Sequence, residues 1–326
     1  MNLILIALLL LMSVGVGWSI GANDAANSLG TAVGSRVLNL KQAICLIVLF
    51  GFLGAFLQGS HVTKTIGKGI VPMDLLDKNA SIYLAMVAAF AACVWVVIAT
   101  RWKIPISTSH SIVGAVAGGG LALGAPVKWK VLGDIFICWV FTPIGAAVLG
   151  YILYRISKNV FYRILPRRYL KSILAALIIA SGCYVAYSWG ANDVANATGV
   201  IVGAGVLTPT VSVMLGGLAI VLGIVTWGYK VIETVGSEIT QLMPIMAFSA
   251  QLASAINVHV YTMFGIPVST SHSIVGAIFG VGLVRGLRVL NVRIIKDIVI
   301  CWLATPFISG IVSFSVLKAA LLFVKI

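Results

Sequence analysis

The chain has 326 residues, of which 60% are hydrophobic and only 9% charged, against roughly 25% charged in an ordinary soluble domain. That composition excludes a soluble globule, a disordered tail and a disulfide scaffold, and leaves an all-α polytopic membrane protein surrounded by lipid. Its 22 Lys and Arg against eight Asp and Glu give +14, but in a membrane protein such bases belong to loops that set orientation, so no nucleic-acid partner is expected.

Apolar runs fall at 2–33, 40–60, 80–100, 104–124, 132–154, 172–206, 208–229, 242–264, 267–284 and 298–324. Each is near or above the roughly 20 residues that a crossing helix needs, which predicts about 10–12 transmembrane segments. The first run lacks a basic leader and reads as a retained helix. The runs 2–33 and 172–206 are too long for one straight crossing, and each carries a polar, glycine-containing block near its middle.

Three blocks recur in the same order. GANDAAN (21–27) returns as GANDVAN (190–196), IPISTSHSIVGA (104–115) as IPVSTSHSIVGA (266–277), and DIFICWVFTP (134–143) as DIVICWLATP (297–306). The offsets are 169, 162 and 163. Nearly one offset across three blocks in the same order indicates a duplicated half-chain. The boundaries expected are a first repeat at 1–154, a basic linker at 155–171 and a second repeat at 172–326.

The linker carries six bases and no acid, so it is expected on the cytoplasmic side of the plasma membrane. Five crossings per half then place both termini outside and invert the second repeat. Fifteen of the 22 bases fall in the loops that this topology puts inside. A re-entrant hairpin in either half would change the crossing count.

Asp24 and Asp193 are carboxylates inside apolar runs, where each costs at least about 2.5 kcal/mol, so each is a functional candidate. Asn23 and Asn27 flank the first, and Asn192 and Asn196 the second. Gly21 and Gly190 are expected to loosen the helix and free backbone carbonyls. Carboxylate, amide and carbonyl oxygens suit a hard cation such as Na⁺. The competing reading is an Asn/Asp cluster that joins helices.

Pro105 and Pro267 interrupt the other repeated block. Ser107, Thr108 and Ser109, and likewise Ser269, Thr270 and Ser271, then supply hydroxyls just before a new helix. A helix N-terminus offers free N–H groups and partial positive charge, a ready site for phosphate. Broken helices aimed at a midplane substrate are the design of inverted-repeat carriers. The competing reading is that the hydroxyls only satisfy backbone at a proline break. A divalent anion beside two aspartates requires compensating cations. Hydrogen phosphate also has a proton to donate to an acceptor, which sulfate lacks.

His110 and His272 follow the hydroxyl runs and are expected to cap or pack more than to touch substrate. Asp134 and Asp297 are expected in first helical turns, where they complement the dipole. Glu233 and Glu238 lack acidic counterparts in the first half and are candidates for a gate. Asp74 and Asp77 read as solvated loop. The pairs Gly114/Gly118 and Gly276/Gly280 predict close helix packing. The five cysteines are isolated and read as packing residues. No nucleophile–base–orienter set or nucleotide motif is present, so neither an enzyme nor an organic cofactor is expected.

At GANDAANSLGTAVGS (21–35), GANDVANATG (190–199) and the two Ser-Thr-Ser-His blocks, the sequence resembles the inorganic phosphate transporter (PiT) family over essentially its whole length. The resemblance implies a symporter of phosphate with Na⁺ or H⁺, built from two inverted halves around one site, and it leaves room for a homodimer. By position it assigns Asp24, Asn27, Asp193 and Asn196 to cations and both Ser-Thr-Ser triplets to phosphate. Ser107 and Ser269 are further candidate sodium ligands, and Asn23 and Asn192 further candidates for phosphate. One departure stands out: many members carry Glu where this chain has Gly51, and that favours Na⁺ over H⁺. The expectation is a Na⁺-coupled phosphate importer working by alternating access. An H⁺-coupled carrier, a sulfate permease and an ion channel are the alternatives.

Overall fold

The computed structural model describes residues 3–34, 36–102, 106–164, 166–229, 232, 243–284 and 292–323. Among the described residues every regular element is a helix. In chain order the helices are α1 (Leu3–Asp24), α2 (Ala26–Gly34), α3 (Leu40–Gln58), α4 (Ser60–Lys64), α5 (Lys78–Arg101), α6 (Thr108–Leu123) and α7 (Trp129–Ile164). They continue as α8 (Arg167–Gly203), α9 (Pro209–Gly223), α10 (Pro244–Met263), α11 (Thr270–Leu283) and α12 (Val292–Phe323).

Seven helical stretches among the described residues are long and apolar enough to cross a membrane, α1 and α2 counting as one. Ten apolar runs resolve into seven spans because 104–124 and 267–284 yield only the short helices α6 and α11, of 16 and 14 residues, and α10, from the run 242–264, is not apolar enough to count. Side chains such as Phe56, Ile137, Phe141 and Phe307 point outward, as a lipid solvent permits.

Local sequence sets the helix ends. Asn39 and Gln42 form a reciprocal capping box on α3, and Thr208 caps α9 ahead of Pro209. Asp77, expected in solvated loop, caps α5 through the Asn79 N–H at 2.9 Å. Asp74 meets Lys68 at 3.3 Å on the surface. Asp134 is not in a first turn, because α7 starts at Trp129. Asp297 likewise follows the start of α12 at Val292. The basic stretch 155–171 is largely helical, since α7 runs to Ile164 and α8 starts at Arg167.

The halves interlock. α6 packs along α12, and α11 packs along α7. A Cβ on Gly114 would collide with the Pro306 carbonyl, and one on Gly118 with that of Gly310. In the mirrored crossing, Gly276 meets the Pro143 carbonyl and Gly280 that of Ala147. The predicted glycine pairs therefore allow backbone-to-backbone contact between helices of different halves.

The glycines of the Asn/Asp blocks do something different from what the sequence suggests. α8 runs unbroken through 190–196, and α1 and α2 are separated by Ala25 alone. A Cβ on Gly21 would strike the Ile220 carbonyl, and one on Gly190 the Gly51 carbonyl. These residues let α9 and α3 approach, and no unwound segment frees carbonyls there.

Candidate functional site

The N-termini of α6 and α11 converge on Asp24, the last residue of α1, and Asp193, in the C-terminal third of α8. Ser107 and Ser269 cap the two short helices. Each hydroxyl accepts the N–H of the histidine three residues on, His110 or His272, at 3.2 Å. The break before each helix thus leaves backbone N–H groups of the first turn facing the site.

Each carboxylate is served by both halves. Thr108 reaches Asp24 at 3.1 Å and Ser271 reaches it at 3.3 Å. Thr270 reaches Asp193 at 3.2 Å and Ser109 reaches it at 3.3 Å. The amides follow the same exchange: Asn27 donates to Ser271 at 3.0 Å, and Asn196 to Ser109 at 3.1 Å. Asn196 also lies 3.3 Å from Thr108, which joins the two clusters. Asp24, Asp193, Asn196 and both triplets are buried. No Lys or Arg among the described residues pairs with either carboxylate; the ion pair found there is Lys68–Asp74. The Asn196 Oδ1 is buried without a hydrogen-bond donor.

Asn23 and Asn192 sit differently. Asn192 donates to Thr262 at 2.9 Å and to the Ile266 carbonyl at 3.1 Å, and it accepts from the Val268 N–H at 3.2 Å. Its polar atoms hold the extended segment ahead of α11. Asn23 donates to Thr100 at 2.7 Å and is partly exposed. Glu233 and Glu238 lie outside the described residues.

The histidines pack, and their packing involves residues that sequence reasoning passed over. His110 stacks on Trp139 and His272 on Trp302, each at 3.6 Å between ring centroids, and the two imidazoles meet edge-on at 4.5 Å. Pro306 lies inside α12 and has no N–H for the carbonyl four residues back, which is that of Trp302. His110 Nδ1 supplies the missing donor at 3.0 Å, so it carries the proton. The signal was on the page in the repeated DIxICWxxTP block, where Trp and Pro stand four apart. At Gly51 a Cβ would fall 3.2 Å from the Trp189 ring, so a larger residue there would need that ring to shift.

Long apolar helices around a central cluster of acids, amides and hydroxyls, drawn reciprocally from two half-chains, define a multi-pass integral membrane carrier of small ions. The model of the phosphate transporter family matches residues 20–313, and the chain belongs to that family. It is 33% identical to a candidate phosphate permease of Pyrococcus furiosus, over 96% of this chain and 95% of that protein. It is 32% identical to one from Chlamydia trachomatis, over 91% and 95%. A solved structure, the sodium-dependent phosphate transporter, superposes with a TM-score of 0.91 at 30% identity, covering 99% of this chain and 100% of the other.

Proposed function

We propose that the protein imports inorganic phosphate together with Na⁺ by alternating access. The observation that carries this reading is the reciprocal cluster. Two buried carboxylates without a basic partner among the described residues stand among oxygen ligands, beside two helix N-termini that favour an anion. Asp24, Asn27, Asp193 and Asn196 bind the cations, and the unpaired Asn196 Oδ1 suits such a ligand. Thr108, Ser109, Thr270 and Ser271 receive phosphate with their N–H and hydroxyl groups. Ser107 and Ser269 act by shaping the helix starts, and Asn192 by holding the extended segment. The sodium dependence of the superposable transporter agrees with this. So does Gly51, which puts no carboxyl where many members of the family carry one.

The two halves, 1–154 and 172–326, are inverted repeats, with 155–171 cytoplasmic and both termini outside. Phosphate is preferred to sulfate because hydrogen phosphate donates a proton to these carboxylate and hydroxyl oxygens.

The test is ³²P-phosphate uptake into proteoliposomes. An inward Na⁺ gradient drives accumulation, and excess sulfate does not compete. Uptake that follows a pH gradient and ignores Na⁺ refutes the coupling ion, and equal competition by sulfate refutes the substrate.

A further inference from the structure

Gln251 is fully buried about two turns into α10, outside every repeated block. Its Oε1 accepts from Ser181 of α8 at 2.8 Å. Its Nε2 donates to the Ser28 carbonyl at 3.1 Å and to the Thr31 hydroxyl, both on α2. One amide therefore ties three helices together on the face where α2 ends, α8 begins and α10 begins. Thr31 lies one turn beyond Asn27 along α2, so the tie closes the molecule just past the cation and phosphate cluster.

The repeat supplies a comparison for the opposite face. At the offsets of 162 and 169, Gln251, Ser181, Ser28 and Thr31 correspond to Ala89, Met12, Ala197 and Val200. All four counterparts are apolar, and Ala89, Ala197 and Val200 are buried. At these four positions one copy of the repeat packs hydrocarbon where the other places hydrogen-bonding groups. Packing at these positions therefore does not require polar groups, and burying them carries a desolvation cost.

The difference matters for opening. When an apolar seal parts, hydrocarbon meets water. When the Gln251 bonds part, water replaces each of them and the barrier becomes a wettable path. We infer that Gln251 is the gating residue of the face where α2 ends and α10 begins: its bonds to Ser181, Ser28 and Thr31 close the path from the site, and phosphate passes when water takes their place. The inference rests on the transport reading above. Gln251 acts through helix position and does not touch the substrate.

Ser28 provides the reporter. Its hydroxyl is buried without a partner, and only its carbonyl enters the latch, so Ser28→Cys leaves the latch intact. In protein whose native cysteines are replaced by Ala, reconstituted in one orientation, a membrane-impermeant methanethiosulfonate is applied from either side. Adding Gln251→Leu speeds labelling at least about tenfold from the latch face alone, the effect of losing one or more net hydrogen bonds. Phosphate binding in detergent stays within about threefold, because no ligand-binding group has changed. Thr31→Val shifts labelling in the same direction by less, and it carries the test should Gln251→Leu fail to give monodisperse protein. Labelling rates unchanged by the variant that folds, or raised equally from both sides, overturn the inference. Labelling requires neither Na⁺ nor phosphate, so its outcome is independent of whether the coupling ion is correct.

Discussion

Ser271 donates to Asp24 at 3.3 Å although 247 residues separate them, and Ser109 answers with the same distance to Asp193. Neither half-chain owns a complete carboxylate environment. Each acid takes one hydroxyl from its own half and one from the other, so relative motion of the halves must remake the site. That is the property a carrier needs: binding and conformational change share the same bonds.

Neutralising one acid tests this directly. Asp24→Asn and Asp193→Asn preserve shape and remove the charge that the proposed cation binding requires. Na⁺-driven phosphate uptake is expected to fall roughly 10- to 100-fold in each, the scale of losing a charge-assisted interaction. Because the two environments are exchanged copies, the losses should be similar. A wild-type rate in either variant argues against a paired site.

The hydroxyls divide into two roles that mutation separates. Ser107→Ala and Ser269→Ala remove helix caps, and each should lower stability by about 1 kcal/mol, seen as a drop in thermal midpoint in detergent. Ser109→Ala and Ser271→Ala leave the caps in place but take a donor from Asp193 and Asp24, so they should raise the phosphate KM as well as lower the midpoint. A phosphate KM raised equally in all four would merge the roles.

The sequence made the chemistry more legible than the backbone around it. Asp24, Asp193 and both hydroxyl triplets meet as their duplication suggested, because polar residues inside apolar runs have few explanations. Gly21 and Gly190 misled, since glycine serves both helix breaks and close contacts, and only the facing carbonyls of Ile220 and Gly51 decide between them. Hydropathy could not separate the short helices α6 and α11 from full crossings, because buried and lipid-facing helices are equally apolar. The exchange of hydroxyls between halves was out of reach, because periodicity carries no information about partners.

The crossing glycines give a stability prediction. Gly114→Ala and Gly276→Ala place a methyl against the Pro306 and Pro143 carbonyls, and each should destabilise by about 1–3 kcal/mol through overpacking. Gly133→Ala is the control: it lies within α7 with nothing within 4 Å of the added Cβ, so it should be neutral or mildly stabilising. Thermal unfolding in detergent reads all three.

The pairing of His110 with Pro306 predicts a rescue. His110→Phe keeps a ring over Trp139 but removes the donor to the Trp302 carbonyl, at a cost of about 1–3 kcal/mol for an unsatisfied buried acceptor. Pro306→Ala restores a backbone N–H at the position that would bond that carbonyl within the helix, and it keeps the Cα and carbonyl that pack on Gly114. The double variant should therefore be more stable than the sum of the two single effects, with a coupling of about 1 kcal/mol. Additive losses would show that the imidazole acts by stacking on Trp139 of α7 and not as a donor to α12.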